Sequence, residues 1–436
     1  MISSVASPIS KAPTPSAEAF AKPGARAWGM VALLWLAACM DYLTRVMLTT
    51  MHGSVVTAIP MTETQFGLLT SSFLWVYGVF SPVAGFMSDR FSRSRVILVS
   101  LLIWSLLTLL TAYAKTFPEL LIMRALMGLS QACYLPAALA LITEYHRGPT
   151  RSLAVGVHMT GIMFGSGLSG LGGWLADLRS WHYAFSLVGA VGIGYGLLLC
   201  LFLRDPPREQ GTGSPSAEAL AKVDRSPPRF GPALISLFSS WGFVVALIYW
   251  GALGIIAWAI TGWMPTYVQE RFHLGQGAAG LSASGYIYAA SLLGVLAGGA
   301  WADRWSRTQP AARIYVPVIG MCIAAPGILL VAHTHVLALA ILGLVVYGFT
   351  RVFSDSNMMP ILCLVSDPRY RATGYGVLNF LSCICGGLAI YAGGALRDAH
   401  VDLSRVLAYS AGGMVACAAL LLLVRAKPAT ATHSIS

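Results

Sequence analysis

Four charged residues lie deep within long apolar stretches of the sequence. Asp41 and Arg45 are four positions apart, and Arg351 and Asp355 repeat this spacing with the charges reversed. Residues four apart on a helix share one face, so each couple can join as an ion pair. A planar guanidinium can instead bind a carboxylate or a phosphate through two parallel hydrogen bonds. The spacing therefore leaves two hypotheses open, an anion-binding site or a pair that locks one conformation.

Two further titratable side chains, Arg124 and His158, also stand in apolar surroundings. A charge at bilayer depth costs about 2.5–3.5 kcal/mol, so each is a candidate for coupling or gating. Arg124 alternatively extends its flexible stem toward the membrane surface. His158 titrates near neutral pH if it is hydrated, and otherwise packs as a hydrogen-bonded histidine.

Uncharged polar and aromatic residues complete the candidates for substrate contact. Aligning the prolines of two similar segments places Gln131 opposite Asp355, and Asn357 and Asn379 can add hydrogen bonds. Aromatic residues of membrane proteins are interface anchors more often than ligand walls. We select the four that are deep enough to line a cavity, namely Tyr42, Tyr77, Trp258 and Tyr288.

Membrane helices must position these residues, because the chain is far too apolar for a soluble domain. Of its 436 residues, 56% are hydrophobic and 10% charged, against about 25% charged in soluble domains. Apolar runs of roughly 20 residues, enough to cross a bilayer, recur throughout. Backbone groups in lipid must be satisfied locally, which favours helices. The sequence predicts an all-α membrane protein with twelve transmembrane helices near 28–51, 64–88, 95–115, 118–144, 150–176, 181–203, 241–270, 278–302, 313–333, 336–365, 371–396 and 404–425.

One long polar stretch divides the predicted spans into two sets of six. Residues 205–232 are rich in Pro and Ser, which is typical of a linker. We therefore expect six-helix bundles over 28–204 and 233–425, with the linker on the cytoplasmic side. The terminal segments 1–27 and 426–436 are predicted cytoplasmic tails, the first of them disordered.

The net charge of +11 is a topology signal in this chain. Most Lys and Arg fall in the tails and in the loops of one side, which the positive-inside rule assigns to the cytoplasm. We accordingly expect no nucleic-acid partner. The lipid bilayer is the expected partner, in a bacterial-type inner membrane.

Neither redox chemistry nor catalysis is indicated. All eight cysteines fall inside predicted spans and are expected to pack as small apolar residues without disulfides. The chain has no metal-binding cysteine spacing, no nucleophile elbow and no phosphate-cradling loop. We expect no cofactor and no enzymatic activity.

The two halves repeat each other. The pattern G-x-x-x-D-R-[FW]-S-R occurs over 85–93 and again over 299–307. A second echo pairs Gly173 and Asp177 with Gly394 and Asp398. Paired halves of this kind describe a large transporter architecture. The short-loop residues of the first pattern are interpreted as conformational switches or simple topology signals; they are Asp89, Arg90, Asp303 and Arg304.

These motifs resemble the major facilitator superfamily. The loop pattern resembles that superfamily's G-x-x-x-D-R-x-x-[RK] signature, and residues 124–132 resemble its R-x-x-x-G-x-x-x-A pattern. Residues 41–45, 263–267 and 128–136 resemble motifs of its anion:cation symporters, while the linker start D-P-P-R-E also resembles Spinster-like lipid transporters. The resemblance implies two six-helix bundles that alternate access to a central cavity, an anion-binding role for Arg45 and a link between Arg124 and proton transfer.

Two positions depart from the symporter pattern. Thr44 stands where an acid usually precedes the arginine, and Gln131 stands where glutamate is common. Neither side chain can exchange a proton, so coupling to a proton, to Na⁺ or to neither stays open. Asp41 becomes protonatable if a substrate carboxylate takes Arg45 from it, which is one workable coupling scheme.

The sequence thus predicts a monomeric secondary transporter of a small organic anion, such as a sugar acid or another carboxylate. The alternatives are an exporter of drug-like or amphipathic compounds, a Spinster-like lipid transporter, and a solute sensor that does not transport.

Overall fold

The protein is helical throughout the part described by a computed structural model, which comprises residues 24–146, 150–205, 230–309 and 311–424. No strand occurs in these ranges. The predicted linker and tails lie largely outside them. Helix nevertheless begins at Ala25 and again at Phe230, a few residues inside the predicted tail and linker.

The first half contains nine helices in its described residues. They are α1 (Ala25–Val46), α2 (His52–Ala58), α3 (Glu63–Arg90), α4 (Arg93–Thr111), α5 (Phe117–Ala132), α6 (Tyr134–Tyr145), α7 (Arg151–Gly167), α8 (Gly170–Leu178) and α9 (Trp181–Phe202). A 3-10 turn, Met47–Met51, joins α1 to α2.

The second half contains nine more within the described ranges. They are α10 (Phe230–Phe238), α11 (Trp241–Phe272), α12 (Gln276–Gly280), α13 (Tyr286–Trp305), α14 (Ala312–His333), α15 (Leu337–Arg351), α16 (Phe353–Val365), α17 (Arg371–Asp398) and α18 (Leu403–Leu421). A π-helical turn, Leu281–Gly285, joins α12 to α13.

Within the described ranges, eleven helical stretches are long and apolar enough to cross a membrane, against the twelve predicted. The remaining predicted span, the fifth, is divided into α7 and α8 at Leu168 and Ser169. This break brings Gly170 against the second half, where an added Cβ would lie 2.4 Å from the Leu281 backbone nitrogen. The fold is therefore the predicted all-α membrane fold, with the fifth span interrupted where the halves meet.

The fourth span is also interrupted, between α5 and α6 at Cys133. Pro136 explains the break, because proline has no N–H to bond the carbonyl of Ala132, four residues earlier. The tenth span has a similar break at Val352, between α15 and α16. Both interruptions lie next to polar candidates, Gln131 before the first and Asp355 after the second.

The two halves meet tightly on one side of the molecule, which we call the far side and which carries the helix ends at Glu63, Asp177 and Asp398. The opposite side, which carries Arg90 and Arg204, is called the basic side. Helix α3 crosses α17, and α8 crosses α12.

A reciprocal pair of carboxylate caps closes the far side. Asp398 of the second half accepts hydrogen bonds of 2.9 Å from the backbone N–H groups of Glu63 and Thr64, at the start of α3. Asp177 of the first half accepts one of 2.7 Å from the N–H of Gly277, at the start of α12. A carboxylate at a helix N-terminus satisfies orphan donors and complements the helix dipole.

An ion-pair network reinforces this closure. Arg397 bonds Glu63 of the other half at 3.1 Å and Glu270 of its own half at 2.7 Å. The ring of His52 contacts the same Glu63 carboxylate at 2.8 Å. The closure therefore combines backbone caps with charge pairs.

The halves separate toward the basic side. The described contacts between α3 and α17 extend from Gly394, beside the Glu63 backbone, to Cys383, beside Gly78. Beyond that point Val79 and Val83 of α3 are about half exposed. Every side-chain hydrogen bond between halves among the described residues lies on the far side or at mid-depth, as between Trp75 and the carbonyl of Ile384. The molecule is thus closed on the far side and open toward the basic side.

Candidate substrate cavity

A cavity of about 260 Å³ lies between the two halves. Tyr42 of α1 and Ile162, Met163 and Ser166 of α7 line it from the first half, and the second half supplies the rest of the wall from α11, α13, α15, α16, α17 and Val352. Six of the residues singled out from sequence border this space; they are Tyr42, Trp258, Tyr288, Arg351, Asp355 and Asn379. The cavity therefore brings together candidates that are far apart in sequence.

The Arg351–Asp355 pair forms the charged part of the wall. The Arg351 guanidinium donates to the Asp355 carboxylate at 2.5 Å. Arg351 is the last residue of α15 and Asp355 lies in the first turn of α16, positions at which the helix dipoles favour each charge. Both side chains remain partly exposed, at 19% and 32%. This guanidinium can therefore be reached from the cavity and can exchange its partner for a ligand.

The Asp41–Arg45 pair is buried beside the cavity. Arg45 Nη2 lies 3.3 Å from Asp41 Oδ2, and both side chains are almost fully covered. The guanidinium carbon lies 4.2 Å from the Tyr42 ring centre, 4.4 Å from that of Tyr77 and 5.0 Å from that of Phe73. Because Tyr42 itself lines the cavity, Arg45 lies one side chain behind the wall.

This buried pair is incompletely satisfied. Asp41 Oδ1 and Arg45 Nε have no hydrogen-bond partner among the described residues. A polar atom buried without a partner is costly, and such atoms call for an explanation. A ligand that entered past Tyr42 would find both groups available.

Arg124 and Gln131 lie against the same pair. Arg124 donates to the Arg45 carbonyl at 3.2 Å and stacks over Phe73, and no carboxylate pairs with it among the described residues. Gln131 donates to the Thr44 hydroxyl at 3.0 Å. The first-half cluster thus carries two guanidinium groups and one carboxylate, a net positive charge inside the protein.

Two further predicted residues, Asn357 and His158, lie neither in the cavity wall nor in the cluster around Arg45. Asn357 is buried and donates to the carbonyl of Phe353 in its own helix at 2.9 Å. His158 is fully buried on α7, with its ring centre 6.0 Å from that of Tyr134. Their predicted roles stay predictions.

The predicted switch residues lie on the basic side. Asp303 pairs with Arg313 of the same half at 3.1 Å, while Arg90 and Arg304 are exposed. The side chain of Asp89 lies outside the described residues. These loops make no described contact between the halves, as expected for a side that is open.

Several site residues were missed from sequence. Ser166, Trp250 and Tyr347 line the cavity but have no charge or motif that distinguishes them from packing residues. Asp177 and Asp398 were noticed only as parts of an internal echo. The recurrence of glycine and aspartate at matching positions was the available signal for the reciprocal caps.

No group of three or more His, Cys, Asp or Glu is arranged to hold a metal ion in the described part of the chain. All eight cysteines are free thiols there.

A helical membrane protein whose two similar halves enclose a central cavity has the architecture of a secondary transporter. The family model of the Major Facilitator Superfamily matches residues 34–390. The chain belongs to the Major Facilitator Superfamily.

Two curated relatives carry organic-anion names. A Hexuronate transporter of Bacillus subtilis (strain 168) is 27% identical over 244 residues, which cover 56% of this chain and 57% of the relative. The match thus spans just over half of that relative's length. A Probable sulfoacetate transporter, SauU, of Cupriavidus necator is 24% identical over 410 residues, covering 90% of this chain and 92% of the relative.

A solved structure with the same fold is a bacterial homolog of the human lysosomal transporter Spinster, in an inward-facing and unoccupied conformation. It superposes with a TM-score of 0.73 at 20% identity and covers 92% of this chain and 96% of that one. This similarity confirms the predicted fold.

Proposed function

We propose that this protein is a secondary transporter, which moves a small organic anion, a sugar acid or another carboxylate, across the inner membrane by alternating access. The observation that carries the proposal is the excess of guanidinium groups in and just behind the cavity wall. Among the described residues, Arg351 in the wall and Arg45 and Arg124 behind it stand against two carboxylates, those of Asp41 and Asp355. An anionic ligand would complete this charge balance.

Binding begins at Arg351 in this proposal, because its guanidinium is the one exposed to the cavity. A substrate carboxylate displaces the Asp355 carboxylate and accepts two parallel hydrogen bonds from the planar Arg351 guanidinium. Tyr288, Asn379 and Ser166 offer hydrogen-bonding groups for substrate hydroxyls around the same space. Movement of the Tyr42 ring, which separates the cavity from Arg45, then allows the anion to reach the Arg45 guanidinium.

Alternating access follows from the far-side closure. In the proposed orientation the basic side faces the cytoplasm and the far side faces outward, with both termini cytoplasmic. Opening outward breaks the caps on α3 and α12 and the Arg397 network, while the basic side closes. Substrate that neutralises the cavity arginines lets the halves approach around it.

Cation coupling uses Asp41 in this scheme. Thr44 and Gln131 cannot exchange a proton, and their side chains bond each other at 3.0 Å. When a substrate carboxylate takes Arg45, the Asp41 carboxylate loses its partner and becomes free to accept a proton or Na⁺. Substrate-driven proton uptake of zero in proteoliposomes would exclude the proton version.

A ligand-stabilisation screen tests the anion proposal. The purified protein is melted in detergent with sugar acids, dicarboxylates, sulfonates, neutral sugars and lipophilic cations, and each hit is repeated on Arg351→Gln and Arg45→Gln. Arg405→Gln, an exposed arginine outside the cavity, is the control. We expect a carboxylate to stabilise wild type and the control while both cavity variants lose the effect. Hits confined to cations or neutral amphiphiles, unchanged by either substitution, would contradict the proposal.

Transport of an amphipathic compound or a lipid is the second candidate. Trp250 and Trp258 line the cavity and suit a ligand with apolar surface. The same screen separates this candidate, because an amphiphile would stabilise the cavity variants as well as wild type.

A further inference from the structure

A second cavity, of about 600 Å³, lies on the outer surface of the first half between α1 and α9. Its walls are apolar, and the α1 side includes Met30, Leu33 and Leu36 while the α9 side includes Tyr195, Leu198 and Phe202. We call this space the α1–α9 groove. It is separate from the central cavity and shares no lining residue with it.

Small residues and one hydrogen bond keep the groove open. Gly29 faces it, and an added Cβ there would meet nothing within 4 Å. Ala32, a second small residue of α1, also lines the groove. At the base of the groove, the Tyr195 hydroxyl donates to the carbonyl of Leu33 at 2.5 Å, which holds the two helices in place.

Two arginines stand at one end of the groove. Arg26, in the first turn of α1, and Arg204, just after α9, are both exposed on the basic side. Within the described ranges neither arginine forms an ion pair. The rest of the lining is apolar or uncharged, so both charges are concentrated at this end.

The backbone at Arg204 is fixed from two directions. The Tyr145 hydroxyl donates to the Arg204 carbonyl at 2.7 Å, and the neighbouring Asp205 carboxylate accepts from the Ser94 N–H at 2.9 Å. Partial burial raises the pKa of Asp205, but hydrogen bonds from Ser92 and Ser94 outweigh it and hold the pKa below its usual value. This carboxylate is therefore bonded to the start of α4, and the Arg204 guanidinium has no ion-pair partner among the described residues.

The length of the groove matches one leaflet. From Arg26 to Leu36 the helix rises about 15 Å at 1.5 Å per residue. Half of the roughly 30 Å hydrocarbon core is also about 15 Å. The charged end then lies at headgroup level and the apolar walls at acyl-chain depth.

We propose that the α1–α9 groove binds one anionic phospholipid from the leaflet on the basic side. The phosphate lies between Arg26 and Arg204, and an acyl chain follows the groove toward Leu36. Basic residues beside transmembrane helices attract anionic headgroups, and the apolar walls suit an acyl chain. The lipid joins α1, which carries Asp41 and Arg45, to α9, and this role does not depend on which solute is transported.

Native mass spectrometry of the full-length protein tests the proposal. The protein is released from nanodiscs containing equal parts of phosphatidylglycerol and phosphatidylcholine, and the retained lipids are identified. The variants are Arg26→Gln/Arg204→Gln, which removes the charges, and Gly29→Phe, which fills the groove without changing charge. Arg307→Gln, an exposed arginine on the same side of the other half, is the control.

We expect wild type and the control to retain one phosphatidylglycerol. Each arginine near an anionic lipid contributes about fivefold to binding, so the double variant should retain about thirtyfold less. Gly29→Phe should also lose the lipid, although both arginines remain. Equal retention by all four proteins would overturn the proposal, and so would loss of the lipid from the control alone. Retention by Gly29→Phe with loss from the double variant would place the headgroup at the arginines but the chain outside the groove, and would also overturn it.

Discussion

Arg45 and Arg124 are buried arginines of the same half, but their surroundings have opposite consequences. Arg45 has a carboxylate partner at 3.3 Å and three aromatic rings around it, whereas Arg124 has a ring and a backbone carbonyl. Removing one member of a buried ion pair leaves the other charge uncompensated. Removing a buried charge that has no opposite partner relieves a desolvation cost instead.

Arg45→Gln should therefore lower stability strongly, by about 3–5 kcal/mol, because Asp41 is left charged and unpaired. Asp41→Asn/Arg45→Gln should recover most of this loss, since neither residue then carries a charge. Apparent melting temperatures of the two variants in detergent check the expectation. Equal melting of both variants would show that the ion pair is not what stabilises this position.

Arg124→Met should melt at or above the wild-type temperature while transport falls. Methionine keeps much of the arginine's volume and removes a charge that has no carboxylate partner among the described residues. Melting in detergent and uptake into proteoliposomes are measured on the same preparation. A drop of several degrees would contradict the expectation and indicate that the guanidinium is compensated by a bound anion.

At the residue scale, the sequence was sufficient to select charged residues but insufficient to rank their exposure. Asp41–Arg45 and Arg351–Asp355 are both ion pairs between residues four positions apart in an apolar span. The first pair is covered by aromatic rings, whereas the second lines the cavity. That difference depends on the breaks between helices and on which face each helix turns inward. Both are set by contacts between distant segments, which spacing alone does not contain.

At the scale of the elements, contacts at helix ends, in addition to packing between helix faces, close the far side of the molecule. Asp177 caps α12 and Asp398 caps α3, so each half supplies a carboxylate to the other. The repeat of glycine and aspartate identified these positions as equivalent in the two halves but did not predict that they cap helices. Residues outside the spans, such as Glu63 and His52, had no pattern that marked them as partners.

Removing both caps, in Asp177→Ala/Asp398→Ala, should shift the protein toward the conformation open on the far side. Each cap is typically worth about 1 kcal/mol, so removing both should move the equilibrium about thirtyfold. The measurement is labelling, from outside, of a cysteine at the cavity residue Thr261 after replacement of the eight native cysteines.

The matched control is Asp402→Ala, because Asp402 caps α18 within its own half by accepting from the Ser404 N–H at 2.8 Å. We expect its labelling rate to equal that of the parent. If the labelling rate increased equally in the control and in the double variant, the effect would reflect general destabilisation rather than opening between the halves.

At the scale of the whole molecule, the twelve-span fold was predictable because each step rests on local composition. Apolar length defines the spans, and the repeat over 85–93 and 299–307 relates the halves. The interrupted fifth span was not predictable, because the break at Leu168 reflects close contact with the other half rather than a local proline. Which side is closed was also absent from the sequence, since both conformations use the same residues.

The charge asymmetry makes a prediction for orientation. Reporter fusions after residue 436 and before residue 1 should both be active in the cytoplasm, because most Lys and Arg lie on the side of the termini. A reporter that is active only outside the cell, inserted at Thr334 between α14 and α15, should be active. The reverse pattern would invert the proposed orientation while leaving the fold unchanged.

The reciprocal caps also have a consequence for amide hydrogen exchange. The N–H groups of Glu63, Thr64 and Gly277 are bonded to carboxylates of the opposite half, so their hydrogens exchange when these caps break. Amides deeper in α3 keep their helical partners in both conformations. The exchange rate of these amide hydrogens at the helix starts, relative to that of the deeper amides, therefore reports how often the halves separate on the far side. The measurement needs no label and no known substrate.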